Sequence, residues 1–158
     1  MTPTDLLEQF KLFTEDTLKD LILPINTPPT KEAQYRAPEV FLMNLPDEKA
    51  QKEKAPYVVL QFLNGDDAQE EGEEEESVCN IRVVVCAYSD NLSEGPMHVL
   101  NILTRLRIAL LEKRVIANRY AMRLPMEYLV YPDNPVPFFF GEMMTVWELP
   151  TIKRRVFV

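Results

Sequence analysis

The sequence is poor in the residues from which catalytic, metal and nucleotide sites are usually built. It has one histidine, His98, and four glycines in 158 residues. A single histidine cannot form a histidine-based metal cluster, and no nucleophile or orienting partner for it is recognisable. The glycines, Gly65, Gly72, Gly95 and Gly141, stand singly, so no phosphate-binding loop can be assembled. We therefore expect no enzyme activity, no cofactor and no metal site.

Long apolar runs and a disulfide framework are also missing. No apolar run reaches the ~20 residues that a membrane span needs, and the first residues, MTPTDLLEQF, do not resemble a secretion signal. Cys79 and Cys86 lie in one predicted strand, on opposite faces and roughly 20 Å apart, which is beyond disulfide reach. We expect both to be small buried hydrophobes in an intracellular protein.

Positive charge is in short supply as well. The formal net charge is -8, with 25 acidic and 17 basic residues. Because binding to the nucleic-acid backbone depends on dense lysine and arginine, this balance argues against it. The 46% hydrophobic content is typical of a globular protein. The length fits one domain spanning residues 1–158.

The first half of the chain predicts one helix and three strands. Apolar residues recur at helical spacing from Pro3 to Leu23, with Thr2 or Thr4 as cap, and Pro24 ends the helix. Residues 24–38 form a proline-rich connector that should run extended. Strands are predicted over 39–45, 57–63 and 77–89, and the NGDD sequence after the second strand indicates a turn. A solvated loop, 47–56, separates the first two strands.

The second half predicts the main core helix and the rest of the sheet. Residues 97–114 carry a wide apolar stripe, with Asp90 or Ser93 as cap. A strand interrupted by Pro125, a proline-rich turn and a long closing strand from Phe138 follow, before the basic segment IKRRVFV. Grouped strands with helices between them predict an α+β fold, with an antiparallel or mixed β-sheet packed against two main α-helices.

The closing strand, FFFGEMMTVWELP, is largely apolar on both faces. An ordinary surface strand alternates between apolar and polar residues. Two coverings for the second face remain open. The two helices could lie on opposite faces of the sheet, or a neighbouring copy of the protein could cover one face, since exposed apolar patches usually mark interfaces. Subunits that meet head to tail close into a ring.

Residues 64–77 form an acidic hairpin loop that should be mobile, because its like charges repel one another. Three interpretations of it remain open, namely a solvated hairpin tip, an ion site and an acidic fringe that faces a channel. The carboxylates in question are Glu70, Glu71, Glu73, Glu74, Glu75 and Glu76.

Four stretches together resemble the tail terminator, or tail completion, proteins of long-tailed bacteriophages and prophages. They are PYVVLQFLNGDD, VCNIRVVVCAYS, EGPMHVLNILTRLRIALL and YPDNPVPFFFGEMMTVWELPTIKR. The resemblance covers the chain from about Pro56 to Arg155 and rests on the pattern and order of elements, not on a catalytic signature.

The resemblance implies a ring-forming structural subunit, with six copies per ring, that caps the tail tube and stops its polymerisation. Its partners would be other copies of itself, the tail tube protein and the head–tail connector or stopper protein, at the tail–neck junction of the virion and in the host cytoplasm during assembly. DNA would pass through without specific binding, and an acidic lumen would repel its phosphates. We assign the acidic loop to that lining, although an outer-rim location remains open.

The candidate ring contacts are Phe138, Met144 and Val146 on the closing strand, with Arg82 and Arg105 or Arg107 pairing across subunits. Solvated positions for these arginines remain an alternative, since exposed ion pairs contribute little. The competing functions are a neck adaptor or stopper and an unrelated intracellular binding module. An enzyme is the third, and no residue can be nominated for it.

Overall fold

The computed structural model describes residues 2–46 and 54–152. The described part contains helices α1 (Pro3–Leu18) and α2 (Glu94–Lys113). Its strands are β1 (Leu23–Pro24), β2 (Tyr35–Arg36), β3 (Glu39–Leu42), β4 (Tyr57–Ala68), β5 (Glu76–Tyr88), β6 (Val115–Ile116), β7 (Tyr120–Val130) and β8 (Phe138–Glu148). The predicted loop at 47–56 and the basic segment from Lys153 lie largely outside the described residues.

Six of the strands form one mixed sheet in the order β3-β4-β5-β8-β7-β6. All neighbours are antiparallel except β3 and β4, which run parallel. Strands β1 and β2 form a separate small antiparallel sheet. The expected α+β fold, with a mixed sheet packed against two helices, is confirmed.

Helix α1 begins as expected and ends earlier than expected. The Thr2 hydroxyl accepts a hydrogen bond from the Asp5 backbone N–H at 3.1 Å, which caps the first turn. The prediction that the helix continues to Leu23 is wrong. A residue before proline is disfavoured in the helical region, and Leu23 instead pairs with Arg36, so part of the connector 24–38 is strand.

The hairpin of β4 and β5 is longer than the sequence suggested. The prediction of a turn at NGDD is wrong, because β4 continues through a bulge after Phe62 as far as Ala68. Gly65 pairs with Cys79 inside the ladder, and the Asn80 side chain donates to Asn64 Oδ1 at 2.9 Å. The loop proper therefore covers residues 69–75 rather than 64–77.

Helix α2 is the central core helix, as predicted, but its cap is a different residue. Neither Asp90 nor Ser93 caps it by its side chain; the Asn91 Oδ1 atom accepts from the N–H groups of Ser93 and Glu94, at 2.8 and 3.1 Å. An asparagine oxygen here satisfies donors that the first turn leaves unpaired.

Strand β8 lies in the middle of the sheet, between β5 and β7. Helix α2 packs directly on it, since a Cβ atom at Gly141 would lie 2.6 Å from Val99 Cγ1. On the neighbouring strand β7, the ladder register shifts between Arg123 and Glu127, around Pro125. This is where the sequence predicted an interruption, because proline cannot donate to the ladder.

Both helices pack on the same face of the sheet. The main apolar cluster joins Phe10 of α1 and Leu103 of α2 to Met143 and Trp147 of β8, and the rings of Phe10 and Trp147 are 5.1 Å apart. A smaller cluster on the opposite face contains strand and loop residues and no helix residue. The alternative in which the helices cover opposite faces is wrong.

Candidate assembly interface

We call the side of the sheet opposite the helices the open face, and it is the candidate interface surface. On β8 the residues at odd positions from 139 to 147 are buried under the helices, whereas Glu142, Met144 and Val146 point the other way and are partly exposed. Neither Met144 nor Val146 belongs to either of the two apolar clusters found in the described residues. The structure therefore places two of the candidate contact residues side by side on an accessible surface.

Arg82 also lies on the open face, where it has partners within its own chain. Its Nε donates to the Glu142 carboxylate, one terminal nitrogen donates to the Tyr131 hydroxyl at 2.7 Å, and the other reaches Gln61 Oε1 at 3.4 Å. The bond to Glu142 is the main reason that the pKa of Arg82 is raised. Pairing of Arg82 across subunits stays a prediction, and a neighbour would have to compete with these groups.

A second ion cluster on the open face was not found from the sequence. The Arg123 guanidinium lies 2.8 Å from a Glu148 oxygen and 3.2 Å from a Glu76 oxygen. The three residues come from three different strands, so only the register of the sheet brings them together. All three are at least one-third exposed, and such pairs contribute little to stability.

The structure corrects the expectation for Phe138. Its side chain is only 6% exposed, because it packs in the smaller cluster with Tyr57 and Cys86, and its ring centroid is 5.9 Å from that of Tyr88. Strand alternation placed Phe138 on the correct face. It could not show that the loop before β4 and the end of β5 already cover that end of the strand.

Arg105 and Arg107 are not close to the other candidate contacts. Both belong to α2, on the helix side of the sheet. Arg105 is exposed, whereas the Arg107 guanidinium carbon lies 5.4 Å from the centroid of the Tyr128 ring, a cation–π distance. The predicted contacts therefore divide between two surfaces, with Met144, Val146 and Arg82 on one and the helix arginines on the other.

The acidic loop projects from the tip of the β4–β5 hairpin. Glu70, Glu71, Glu73, Glu74 and Glu75 are all exposed, whereas Glu76 begins β5 and pairs with Arg123. A groove of about 540 Å³ lies beside the loop end of the hairpin, with Asp67, Glu75, Leu149 and Ile152 among its lining residues. That the loop lines a lumen stays a prediction.

The two cysteines are free and buried, as expected. They belong to different apolar clusters on opposite faces of the sheet. Burial raises the pKa of the Cys79 thiol to about 11 and that of the Cys86 thiol to about 12. Neither is a thiolate at neutral pH, so neither has the character of a nucleophile or metal ligand.

Two searches for other kinds of site gave negative results for the described residues. No set of three or more His, Cys, Asp or Glu side chains in residues 2–46 and 54–152 is arranged to hold a metal ion. Neither α1 nor α2 is both long and apolar enough to span a bilayer.

Comparison with known proteins adds no relative, since the sequence matches neither a protein-family model nor a curated protein.

Proposed function

We propose that this chain is the tail terminator of a long-tailed bacteriophage or prophage. In this role six copies form a ring on the end of the tail tube, stop tube polymerisation and present a joining surface to the connector below the head. The resemblance of the sequence to that family is one support. The observation that carries the proposal is the open face, where Met144 and Val146 stay partly exposed because both helices pack on the other side of the sheet.

An open sheet face of this kind favours self-association over a monomeric function. Partly exposed apolar side chains next to ordered polar groups are typical of protein interfaces. On the open face, Met144 and Val146 lie between the Arg82–Glu142 pair and the Arg123–Glu148 pair. A neighbouring subunit can bury the apolar pair while the charged groups remain at the rim.

The charge of the chain suits a ring through which DNA passes. The net charge of -8 and the exposed carboxylates of the hairpin loop would repel phosphate groups rather than hold them. In our proposal the loop lines the lumen, and the ring binds no DNA sequence and catalyses no reaction.

The proposal is tested by interrupting this reading frame in the parent genome and measuring tail lengths by electron microscopy of the lysate. We expect overlong tubes without heads, because nothing then stops tube growth. Restoring the intact reading frame in trans should return the tails to their normal length.

Two other outcomes would contradict the proposal. Tails of normal length detached from full heads would assign the chain to the neck adaptors or stoppers. Normal infectious particles would instead place it among intracellular binding modules with no part in the virion.

A further inference from the structure

Within residues 2–46 and 54–152, neither outer edge of the six-stranded sheet has a further strand along its whole length. Strand β3 is the outermost strand on one side. On the other side, β6 pairs with β7 only at Tyr120 and Ala121. Residues 127–130 of β7 therefore have no strand beside them among the described residues. Unpaired edges present free N–H and C=O groups that can pair with another chain.

On β3, the hydrogen bonds to β4 show which backbone groups face outward. The N–H of Glu39 donates to Pro56 and the N–H of Met43 donates to Leu60, at 3.2 and 2.8 Å. Because successive residues of a strand direct their backbone groups to opposite sides, Val40 and Leu42 direct theirs away from β4. The Leu42 carbonyl also accepts from the Asn44 N–H at 2.8 Å, and its second lone pair is left for a neighbour.

The same reasoning applies to β7. The N–H of Tyr131 donates to the Phe140 carbonyl of β8 at 2.9 Å, so Leu129, two residues earlier, also faces β8. Tyr128 and Val130 therefore direct their backbone groups outward, away from the sheet.

Val40 and Leu42 on one edge lie in the same cross-strand rows of the sheet as Val130 and Tyr128 on the other edge. Two rows of paired residues run from one edge to the other through β4, β5 and β8. The rows are Val40–Val58–Val85–Gly141–Val130 and Leu42–Leu60–Val83–Met143–Tyr128. The ladder also makes β3 and β7 run in opposite directions.

We propose that β3 of one copy pairs antiparallel with residues 127–130 of β7 in the next copy, so that the sheet continues from subunit to subunit. Val40 then faces Val130, and Leu42 faces Tyr128. Each of these pairs exchanges two backbone hydrogen bonds, and no stagger between the copies is needed. A second copy fits this edge because the free groups of both edges match in position, direction and sheet face.

The side chains brought together by this pairing are apolar. Between the two hydrogen-bonded pairs, Phe41 of one copy faces Leu129 of the next, since both belong to the row through Val59, Val84 and Glu142. In the single chain Leu129 is 46% exposed and Tyr128 is 43% exposed. Pairs of an aromatic and an aliphatic residue directly opposite each other stabilise antiparallel strands.

The contact is head to tail, because β3 on one copy meets a different surface on the next, and such contacts generate rings when the rotation closes. The inference rests on the self-assembly part of the proposed function. It makes no use of the phage partners.

Disulfide cross-linking of the full chain tests the pairing. In the proposed contact the Cα atoms of residues 41 and 129 are about 4.5 Å apart, within the range of a disulfide. Within one chain they are separated by four strand spacings, roughly 19 Å, so any cross-link must join two copies. We expect the double variant F41C/L129C to form a ladder of linked oligomers on oxidation, seen on a non-reducing gel.

The control is D66C/L129C, which also carries two accessible thiols. Asp66 lies in the row through Val78, Glu148 and Ala121, about 20 Å along the strands from the Leu129 row. Apposed thiols have an effective concentration far above that of colliding ones, so we expect at least about tenfold more linked product from F41C/L129C than from this control. A mixture of the two single variants, F41C and L129C, should stop at dimers.

Since F41C removes the packing of Phe41 against Tyr57, a second double variant, E39C/Y131C, probes the same contact two residues further along each strand. Glu39 and Tyr131 share the row through Tyr57, Cys86 and Phe140. A ladder no stronger than that of the control, from both double variants, would overturn the pairing. If the protein assembles but the cross-link does not form, the β3–β7 pairing is contradicted and the proposed function still stands. Normal tails from the interrupted genome would contradict the proposed function and leave the pairing standing. Efficient linking by L129C alone would mean that β7 of one copy pairs with β7 of another, which also contradicts the β3–β7 pairing.

Discussion

At the scale of single residues, two adjacent methionines of β8 occupy opposite environments. Met143 is fully buried under the helices, whereas Met144 is partly exposed on the open face and pairs across the ladder with Arg82. A carboxylate placed at these two positions should therefore have different consequences, although the positions are neighbours in sequence.

We expect Met144→Glu to leave the monomer folded and to abolish ring assembly. The new carboxylate would lie opposite the Arg82 cation on one side and opposite the Glu127 carboxylate on the other. Because this attraction and this repulsion offset each other at a partly exposed site, the free energy of unfolding should change by less than about 1 kcal/mol. Burial against a neighbour would, however, leave that charge desolvated. Urea denaturation measures the free energy of unfolding, and light scattering measures ring assembly.

Met143→Glu is the matched control. It places an unpaired charge in the core and should cost about 4 kcal/mol or more, enough to unfold the chain. If Met144→Glu unfolds the chain as well, Met144 belongs to the core and the open face is not the contact surface. If Met144→Glu assembles normally, the face is also excluded.

At the scale of elements, the sequence predicted those whose pattern is local and clean. The first half of β5 alternates, with Cys79, Ile81 and Val83 buried on one face between the polar residues Asn80 and Arg82, and α2 carries one uninterrupted apolar stripe. The extension of β4 was missed because the NGDD turn signal is overridden by pairing with β5. That β3 runs parallel to β4 depends on a distant contact, which no local pattern reports.

The cap of α2 gives an element-scale prediction. We expect Asn91→Ala to lower the free energy of unfolding by about 1 kcal/mol, because two N–H groups of the first turn lose the oxygen that they share. Ser93→Ala is the control and should have a much smaller effect, since the Ser93 side chain makes no capping bond. Denaturant unfolding measures the free energy of unfolding of both variants, and we expect the larger loss for Asn91→Ala. Equal losses of stability would contradict the assignment of the cap to Asn91.

At the scale of the whole molecule, the features that matter for assembly lie at different places on one sheet. One face holds the helices and the core, the other holds Met144 and Val146, the two edges offer free backbone groups, and the acidic loop extends the hairpin at one end. Period-2 alternation was sufficient to place Met144 and Val146 on one face. That both helices pack on the other face, and that the two edges of the sheet match each other, could be learned only from the structure.

The acidic loop supplies the last prediction. Replacing Glu70, Glu71, Glu73, Glu74 and Glu75 by lysine should leave the fold intact, because these side chains are exposed. If the loop lines the lumen, the lysines will hold the phosphates of the passing DNA. Particles assembled with this variant, in the genome whose own reading frame is interrupted, should then release DNA more slowly, and added salt should reduce the delay.

Replacement of the same residues by glutamine separates the loss of negative charge from the gain of positive charge. Release at the normal rate from lysine-containing particles would place the loop on the outer rim.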